Sequence, residues 1–554
     1  MSKRTFEPKI ITVLREGYSF PLFWNDLLAG LIVGVVALPL SIAFAIASGV
    51  QPEQGLITAV IAGFLISLLS GSRVQIGGPT GAFIIIIFKI VQEYGYGGLA
   101  TATVLAGIIL VIMGLAKLGD IIKYIPYPVT VGFTSGIALI IFTTQIPDLL
   151  GLRLTKVPGE FVGKLGAYAA NASTFNPFAL GLGVISILII LVWPRLTRRI
   201  PGTIIAIVVT TLMVHFLHLP IETIASRFGE VPNRIPLPHW PAMDLKQIPQ
   251  LISPALTIAL LAGIESLLSA VVADGMIGTR HRSNMELVGQ GIANIISPFF
   301  NGIPATGAIA RTATNIKNGG RTPFAGIIHA VTILFLFLFC GKLAGLIPMV
   351  TLAGILVVVS YNMSEWRHFR ELLHAPRADR LVLVATFGLT VLVDLTVAIE
   401  VGVVMAALLF MHRMAELTHI DVIQEDEHNG KPHEYAGVPE GVEIFEIHGP
   451  FFFGAADKFR DTIISFKKIP KVLILQMQDV PAIDATAANA IRILLEESRK
   501  DGTQVIFAGI NRHVFKAMAK TGLTDLVGID NILADVPLAL AQALVLIDQK
   551  TSGR

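Results

Sequence analysis

The chain has 554 residues, 53% hydrophobic and only 15% charged, with 51 glycines, a single cysteine and a formal net charge of +3. Soluble domains carry about 25% charged residues, so this is the composition of a membrane protein. One cysteine excludes a domain stapled by internal disulfides, the shortage of charge excludes an intrinsically disordered chain, and so small a net charge gives no argument for a nucleic-acid partner.

Residues 1–24 include Lys3, Arg4, Lys9 and Arg15. They are too charged, and too long before the first apolar run, for a cleaved signal, and are expected to form a cytoplasmic N-terminal segment. A spanning helix needs about 20 apolar residues. Such runs follow at 28–48, 55–71, 97–115, 128–146, 178–194, 202–218, 251–273, 323–341, 344–361, 380–396 and 398–412, with three shorter candidates at 77–91, 286–300 and 303–316. The pattern predicts a transmembrane domain over 25–415 with about 14 segments. With a cytoplasmic N-terminus, the patches Arg195/Arg198/Arg199, Arg280/Arg282, Lys317/Arg321 and Arg367/Arg370/Arg377/Arg380 then all fall on the cytoplasmic side, and the proline-rich loop 219–250 on the other.

Two halves of seven spans must lie inverted to one another. The short segments supply an echo between them: Gly77-Gly-Pro-Thr-Gly-Ala82 and Ile303-Pro-Ala-Thr-Gly-Ala308 occupy matching third places, and each has Pro followed soon by Thr-Gly-Ala. Paired, short, Gly/Pro-interrupted segments are the sequence pointer to a transporter binding site. A helix that starts in mid-membrane leaves its first N–H groups without partners, and these donors and the helix dipole favour an anion. Pro79 and Pro304 would break regular structure before each start, Gly77, Gly78 and Gly81 allow close backbone approach, and Thr80, Thr306 and Thr312 offer hydroxyls.

Ionisable residues inside the membrane are costly, and two stand out. Arg311 follows the second half-helix start and is the candidate charge partner of an anion. Glu265 lies in Ala259-Leu-Leu-Ala-Gly-Ile-Glu265-Ser-Leu-Leu-Ser269. A carboxylate in an apolar site can bind and release a proton, or it could ligate Na⁺ with help from Ser269 one turn on. The alternative for both is a structural ion pair. Asp394 and Glu400 are expected at a solvated turn, Lys89 near a helix end, and Asn284, Glu286, Gln290 and Asn294 as hydrogen-bonding glue between helices. Phe44 alone reads as packing.

After a polar stretch at 416–440, read as a linker, the chain changes character. Val442–Ile447, Lys471–Met477 and Gln504–Ala508 alternate like strands, with helical patterns at 455–467, 485–500, 511–521 and 535–547 between and after them, which predicts a small α/β domain over 441–554. Asp484 is a natural N-cap. The sequence shows no phosphate loop, metal cluster or catalytic triad, and no enzymatic activity or cofactor is expected.

These residues carry a resemblance. Ala37-Leu-Pro-Leu-Ser-Ile-Ala-Phe44, Gly77–Ala82, Gly263-Ile-Glu-Ser-Leu-Leu268, Asn284–Asn294 and Ala310-Arg-Thr312 resemble the SulP (sulfate permease, solute carrier 26) anion transporters, and Val480-Pro-Ala-Ile-Asp484 resembles a STAS domain. The resemblance covers nearly the whole chain. It implies a polytopic α-helical fold, a 7+7 inverted repeat with core and gate domains, and a cytoplasmic STAS domain. It further implies a homodimer, and an anion held between the third and tenth segments by Leu40, Phe44, Thr80, Gly81, Ala310, Arg311 and Thr312. Related members often have Gln at the position of Leu40 and Ser at that of Ala310, so backbone N–H groups become the main donors here. The acidic position of the eighth segment matches Glu265; in a sodium-coupled bicarbonate branch it looks to be Asp, which leans this chain towards H⁺. Thr486 stands where related soluble proteins have a phosphorylatable Ser. Gly263–Val272 and Met276-Ile-Gly-Thr279 resemble most a proteobacterial branch that moves C4-dicarboxylates.

The expectation is therefore a secondary anion transporter of the inner membrane, coupled to H⁺ or Na⁺ through Glu265 and Ser269. Dicarboxylate, sulfate and bicarbonate are all open as substrates. An uncoupled channel and a membrane sensor with STAS output, meeting a regulatory protein there, are the competing readings.

Overall fold

Long apolar stretches in lipid satisfy their backbone only as helices, and helices dominate the first four hundred residues. The computed structural model describes residues 5–122, 126–154, 158, 160–197, 201–230, 234–241, 245–393, 395–416, 418–423, 438–452, 454–455, 459 and 470–552. A short amphipathic helix, α1 (Lys9–Glu16), precedes α2 (Phe20–Ala47) and α3 (Pro52–Leu69); strand β1 (Gly77–Gly78) then leads to α4 (Ile84–Leu115). There follow α5 (Gly119–Ile122), α6 (Tyr127–Leu150), α7 (Phe161–Ala170), α8 (Pro177–Leu196), α9 (Gly202–Leu217), α10 (Ile224–Phe228), α11 (Ile248–Ile277) and α12 (Ser283–Ile296). Strand β2 (Thr306–Gly307) introduces α13 (Ile309–Lys317), then α14 (Pro323–Ala344), α15 (Met349–Met363), α16 (Trp366–Leu372), α17 (Arg377–Leu392) and α18 (Leu395–Glu416).

Among the described residues, nine helices are long and apolar enough to cross a membrane. One of them, α4, is bent at Gly95 (φ 67°, ψ −174°), a backbone shape that glycine alone adopts easily, and so counts as two segments. The shorter α9, α12, α13 and α17 bring the count to fourteen segments among the described residues, each overlapping a run read from the sequence. Asp394 lies outside the described residues; Glu400 and Lys89 are exposed.

The inverted halves are visible in what packs on what. Helix α2 packs on α14, and its counterpart α11 packs on α4; α3 packs on α14, and α12 on α4. Likewise α17 packs on α6 while α15 packs on α8. Two groups result. The helices α2, α3, α4 and α11–α14 form a core, and α6, α8, α9, α15 and α17 a gate. Small residues let the core close up: a Cβ on Gly107 of α4 would lie 2.6 Å from the Gly291 carbonyl of α12, and one on Gly291 would lie 2.6 Å from that of Gly107.

Buried polar residues pin segment ends. Asp26 on α2 is fully buried and accepts from the Arg321 N–H (2.8 Å), the Thr322 N–H (3.2 Å), the Thr322 hydroxyl (2.5 Å) and the Tyr18 hydroxyl (3.1 Å). Asp26→Ala should strand two backbone donors and cost about 3 kcal/mol, read as a lowered midpoint in thermal unfolding of the detergent-solubilised protein. At the N-terminus, Lys9 N–H donates to Ser70 O (3.0 Å), Lys9 Nζ to Arg280 O (2.7 Å) and Arg282 Nη1 to Glu7 O (2.6 Å). The segment expected to be cytoplasmic thus meets a basic patch expected on the same side.

The chain folds as two compact units, residues 1–404 and 405–554. The second holds a five-stranded sheet in the order β3 (His419–Ile423), β4 (Val442–His448), β5 (Val472–Gln476), β6 (Gln504–Ala508), β7 (Ile532–Leu533). The β3–β4 pair is antiparallel and the others parallel. Its helices are α19 (Ala485–Lys500), α20 (Arg512–Lys520), α21 (Leu523–Val527) and α22 (Val536–Ser552). Parallel sheets are covered on both faces: Phe445, Ile447, Leu473, Leu475 and Phe507 pack with α19 and α20, whereas Ile444, Val472, Ile474 and Ile506 pack with Val536, Ala539 and Ala543 of α22. Strand β3 lies within the stretch read as linker. The helical pattern at 455–467 falls almost wholly outside the described residues. Asp484 caps α19, accepting from the Ala487 N–H at 2.8 Å, and Thr486 is exposed on the first turn.

Candidate functional site

The two short segments meet as a two-residue antiparallel ladder, Gly77 opposite Gly307 and Gly78 opposite Thr306, extended by Ala308 N–H donating to Ile76 O at 2.8 Å. Beyond the ladder each strand turns into a helix. Pro79 and the extended Thr80 (φ −129°, ψ 159°) give way to a 3₁₀ turn at Gly81–Phe83 that runs into α4, and the extended Ala308 gives way to α13. An antiparallel pair of equivalents sets Gly77 against Thr306 and Gly78 against Gly307 as counterparts, so Thr80 corresponds to Ile309 and Gly81 to Ala310. The Thr-Gly-Ala echo is three residues out of this register. What the crossing selects is small residues where two backbones touch, not the tripeptide.

Side chains lace both strands to their surroundings. Asn294 holds Ala305 twice, accepting from its N–H and donating to its carbonyl, both at 2.8 Å. Thr58 Oγ1 accepts from the Ile303 N–H (2.7 Å), Thr306 Oγ1 donates to Ala262 O (2.8 Å), and Asn315 Nδ2 donates to Val74 O (2.9 Å). On the same helix as Asn294, Glu286 accepts from the Ser72 N–H (3.1 Å) and from Gln290 (2.9 Å), and Asn284 from the Gly119 N–H (3.0 Å). The polar stripe of α12 therefore bonds neighbouring segments together.

At the helix starts, the N–H groups of Gly81 and Ala82, and of Ile309, Ala310 and Arg311, have no hydrogen-bond acceptor among the described residues. First-turn donors of this kind, with the helix dipole behind them, favour negative charge. Ala310 is exposed and Glu265 half-buried, while Thr80 and Arg311 are only 7% and 4% exposed. The Thr80 hydroxyl donates to Glu265 Oε2 at 3.1 Å. Arg311 Nη2 donates to the Pro79 carbonyl, and Nη1 has no partner among the described residues. The guanidinium occupies space that Gly78 leaves open: a Cβ there would lie 2.7 Å from Nη1. Arg311 and Glu265 feel each other electrostatically, yet no direct ion pair joins them among the described residues.

The structure thus brings Thr80, Gly81, Glu265 and Arg311 together around the ladder. Phe44 is buried beside them; a Cβ on Gly81 would lie 3.5 Å from its ring, 3.0 Å from Met363 Sδ and 3.3 Å from Ile141 Cδ1. Leu40 is partly buried one turn before Phe44. Ser269 and Thr312 are engaged with each other: the Ser269 hydroxyl donates to Thr312 Oγ1 at 3.2 Å, which also accepts from the Ile76 N–H at 3.0 Å. Their hydroxyls staple the back of the crossing. Gly81→Val should fill the gap between core and gate, and we expect about a tenfold or greater loss of uptake by a protein that still elutes as a folded species.

Four neighbours were not singled out from the sequence. Ile141 and Met363 bring the gate against Gly81. Gln75 and His329 are buried behind the ladder, and neither side chain has a hydrogen-bond partner among the described residues. His329 interrupts the run 323–341, which was the available signal; Gln75 had none. Towards the loop expected outside, a vestibule of 520 Å³ reaches from Ala43 and Ala47 to an ion cluster in which Arg227 bonds Asp148 (2.8 Å) and Glu222 (2.6 Å).

Comparison with known proteins places this geometry. Residues 23–386 match the sulfate permease family and residues 436–536 the STAS domain. "Putative sulfate transporter YvdB" of Bacillus subtilis is 43% identical over 517 residues, covering 93% of this chain and 96% of its own. Bicarbonate transporter BicA of Synechocystis is 32% identical over 536 residues, covering 94% of each. Among solved structures, the transmembrane domain of a cyanobacterial BicA superposes with a TM-score of 0.63 at 34% identity over 69% of this chain and 98% of that one. Murine Slc26a9, at 19% identity, shares the fold over 97% of this chain and 94% of that one, with a TM-score of 0.87. The chain belongs to the sulfate permease family, which is made up of anion transporters and not enzymes, and it carries the C-terminal STAS domain.

Proposed function

We propose that this protein is a proton-coupled symporter of a small oxyanion in the inner membrane, in which the core helices carry the anion past the gate. One observation carries the reading: the Thr80 hydroxyl, at the start of one half-helix, is bonded to the carboxylate of Glu265. An anion seated on the first-turn N–H groups competes with that carboxylate for the same small volume of positive potential. Protonating Glu265 removes the competing charge, so binding of anion and proton becomes mutually favourable, and such coupling is reciprocal. The sequence leans towards H⁺ over Na⁺, since Glu265 stands where a sodium-coupled bicarbonate branch looks to have Asp.

Sulfate and bicarbonate come first as substrates, because relatives covering nearly the whole chain carry those names. A C4-dicarboxylate, suggested by the sequence around Gly263–Thr279, is the third arm of the same screen. Purified protein in liposomes should take up one of the three anions when the outside is made acidic, without Na⁺. Uptake that needs Na⁺ and ignores pH would select the sodium-coupled alternative, and electrical fluxes far above transporter turnover the channel. Thr80→Val should weaken anion binding about fivefold, the worth of one hydrogen bond, while Thr80→Ser should keep it; titration calorimetry separates them. A homodimer with the STAS domain as a regulatory contact completes the proposal, and the mass of the detergent-solubilised protein by light scattering tests the dimer.

A further inference from the structure

A recess of 850 Å³ opens on the gate helices, away from the anion site. Its walls come from α6, α8, α15, α16 and α17, and none from the helices that carry Thr80, Glu265 or Arg311. Its lining is apolar and aromatic: Leu139 and Phe142 of α6 face Leu191 of α8, and Trp366 of α16 stacks on Phe369, which meets Phe387 edge-on at 5.3 Å. Along α15 the recess runs from Val357 to Ser364, a rise of about 10 Å, against about 15 Å for one leaflet of a 30 Å hydrocarbon core. It fits the tail of one leaflet and does not cross to the other.

The end of the recess at Trp366 opens the basic segment 367–380. Arg367 and Arg370 adjoin the two lining aromatics on α16, and Arg377 and Arg380 begin α17. All four are exposed, and none makes an ion pair with a described residue. Glu365, Glu371 and Asp379 share the segment; Glu365 is paired with His368 at 3.5 Å. Arg367 and Arg370, without a carboxylate partner among the described residues and next in sequence to the lining Trp366 and Phe369, together with an apolar slot about 10 Å long at the aromatic belt, match the two ends of one molecule.

We propose that this recess binds an anionic phospholipid of the leaflet on the basic-loop side, with an acyl tail in the slot and the phosphate among Arg367 and Arg370. Basic pockets between membrane helices hold such headgroups, and the attraction is electrostatic. The bound lipid would tie the gate to the bilayer while the core moves.

The test uses full-length protein in mild detergent, titrated with phosphatidylglycerol or phosphatidylcholine and followed by native mass spectrometry. Phosphatidylglycerol should bind about tenfold more tightly, and the preference should fall as salt is raised. The double variant Arg367→Gln/Arg370→Gln should lose the preference but keep some binding of both lipids, and Leu139→Trp should fill the slot and weaken both. If the double variant does not fold, the salt titration of the unchanged protein decides. Equal binding of the two lipids, a preference insensitive to salt or to loss of both arginines, or cross-links from residue 366 to a second copy in native membranes would overturn the proposal.

Discussion

Replacing Glu265 by glutamine should leave a protein that binds its anion but cannot be driven by a proton gradient. One pH unit is worth about 1.4 kcal/mol per proton, so a one-to-one symporter holds about a tenfold anion gradient across it. The variant should accumulate nothing above the external concentration, while counterflow of labelled anion in exchange for unlabelled anion persists. Glutamine keeps the size of the side chain and an acceptor for the Thr80 hydroxyl 3.1 Å away, which separates loss of titration from loss of packing. Full gradient-driven accumulation by Glu265→Gln, measured in the same liposomes, would remove Glu265 from the coupling step.

Arg311 carries the second large effect. Its guanidinium is almost wholly buried, tethered through Nη2 to the Pro79 carbonyl, with Nη1 available beside Gly78. A charged hydrogen bond is worth about 1.5–3 kcal/mol, so Arg311→Ala should weaken anion binding by roughly one to two orders of magnitude in calorimetry. Arg311→Lys separates charge from shape. Lysine is a point charge without the planar fork, so it should restore part of the affinity without holding both Pro79 and the anion. Unchanged affinity in the alanine variant would make Arg311 a structural tether between the two strands.

Much of the fold is legible in the sequence because lipid permits so few solutions. Each apolar run became a helix, and the gap between 91 and 97 became the bend at Gly95. Glu265 and Arg311 stood out for the same reason, since hydrocarbon tolerates few charges; the buried Asp26 and Glu286, near segment ends, did not. The register at the crossing was not legible. It depends on which glycine faces which across the ladder, and Gly77 and Gly307 are separated by more than two hundred positions. The pairing of Ser269 with Thr312 is hidden in the same way: each hydroxyl alone reads as a free donor, and only the fold shows them bonded to one another. Strand β3 went unread because His419–Ile423 borders a long polar stretch, and its alternation has meaning only beside Val442–His448.

The ladder between Gly77–Gly78 and Thr306–Gly307 has a kinetic consequence. Two half-helices joined by backbone bonds, and tied by Asn294, Thr58 and Asn315, cannot part to release an anion on one side and close to release it on the other. In the proposed cycle they travel as one piece. The anion therefore meets the same backbone donors whichever way the core faces. Such a carrier has no built-in sense of import or export. It runs forwards or backwards as the concentrations of anion and proton dictate, and reversing the pH difference across the liposome reverses the flow.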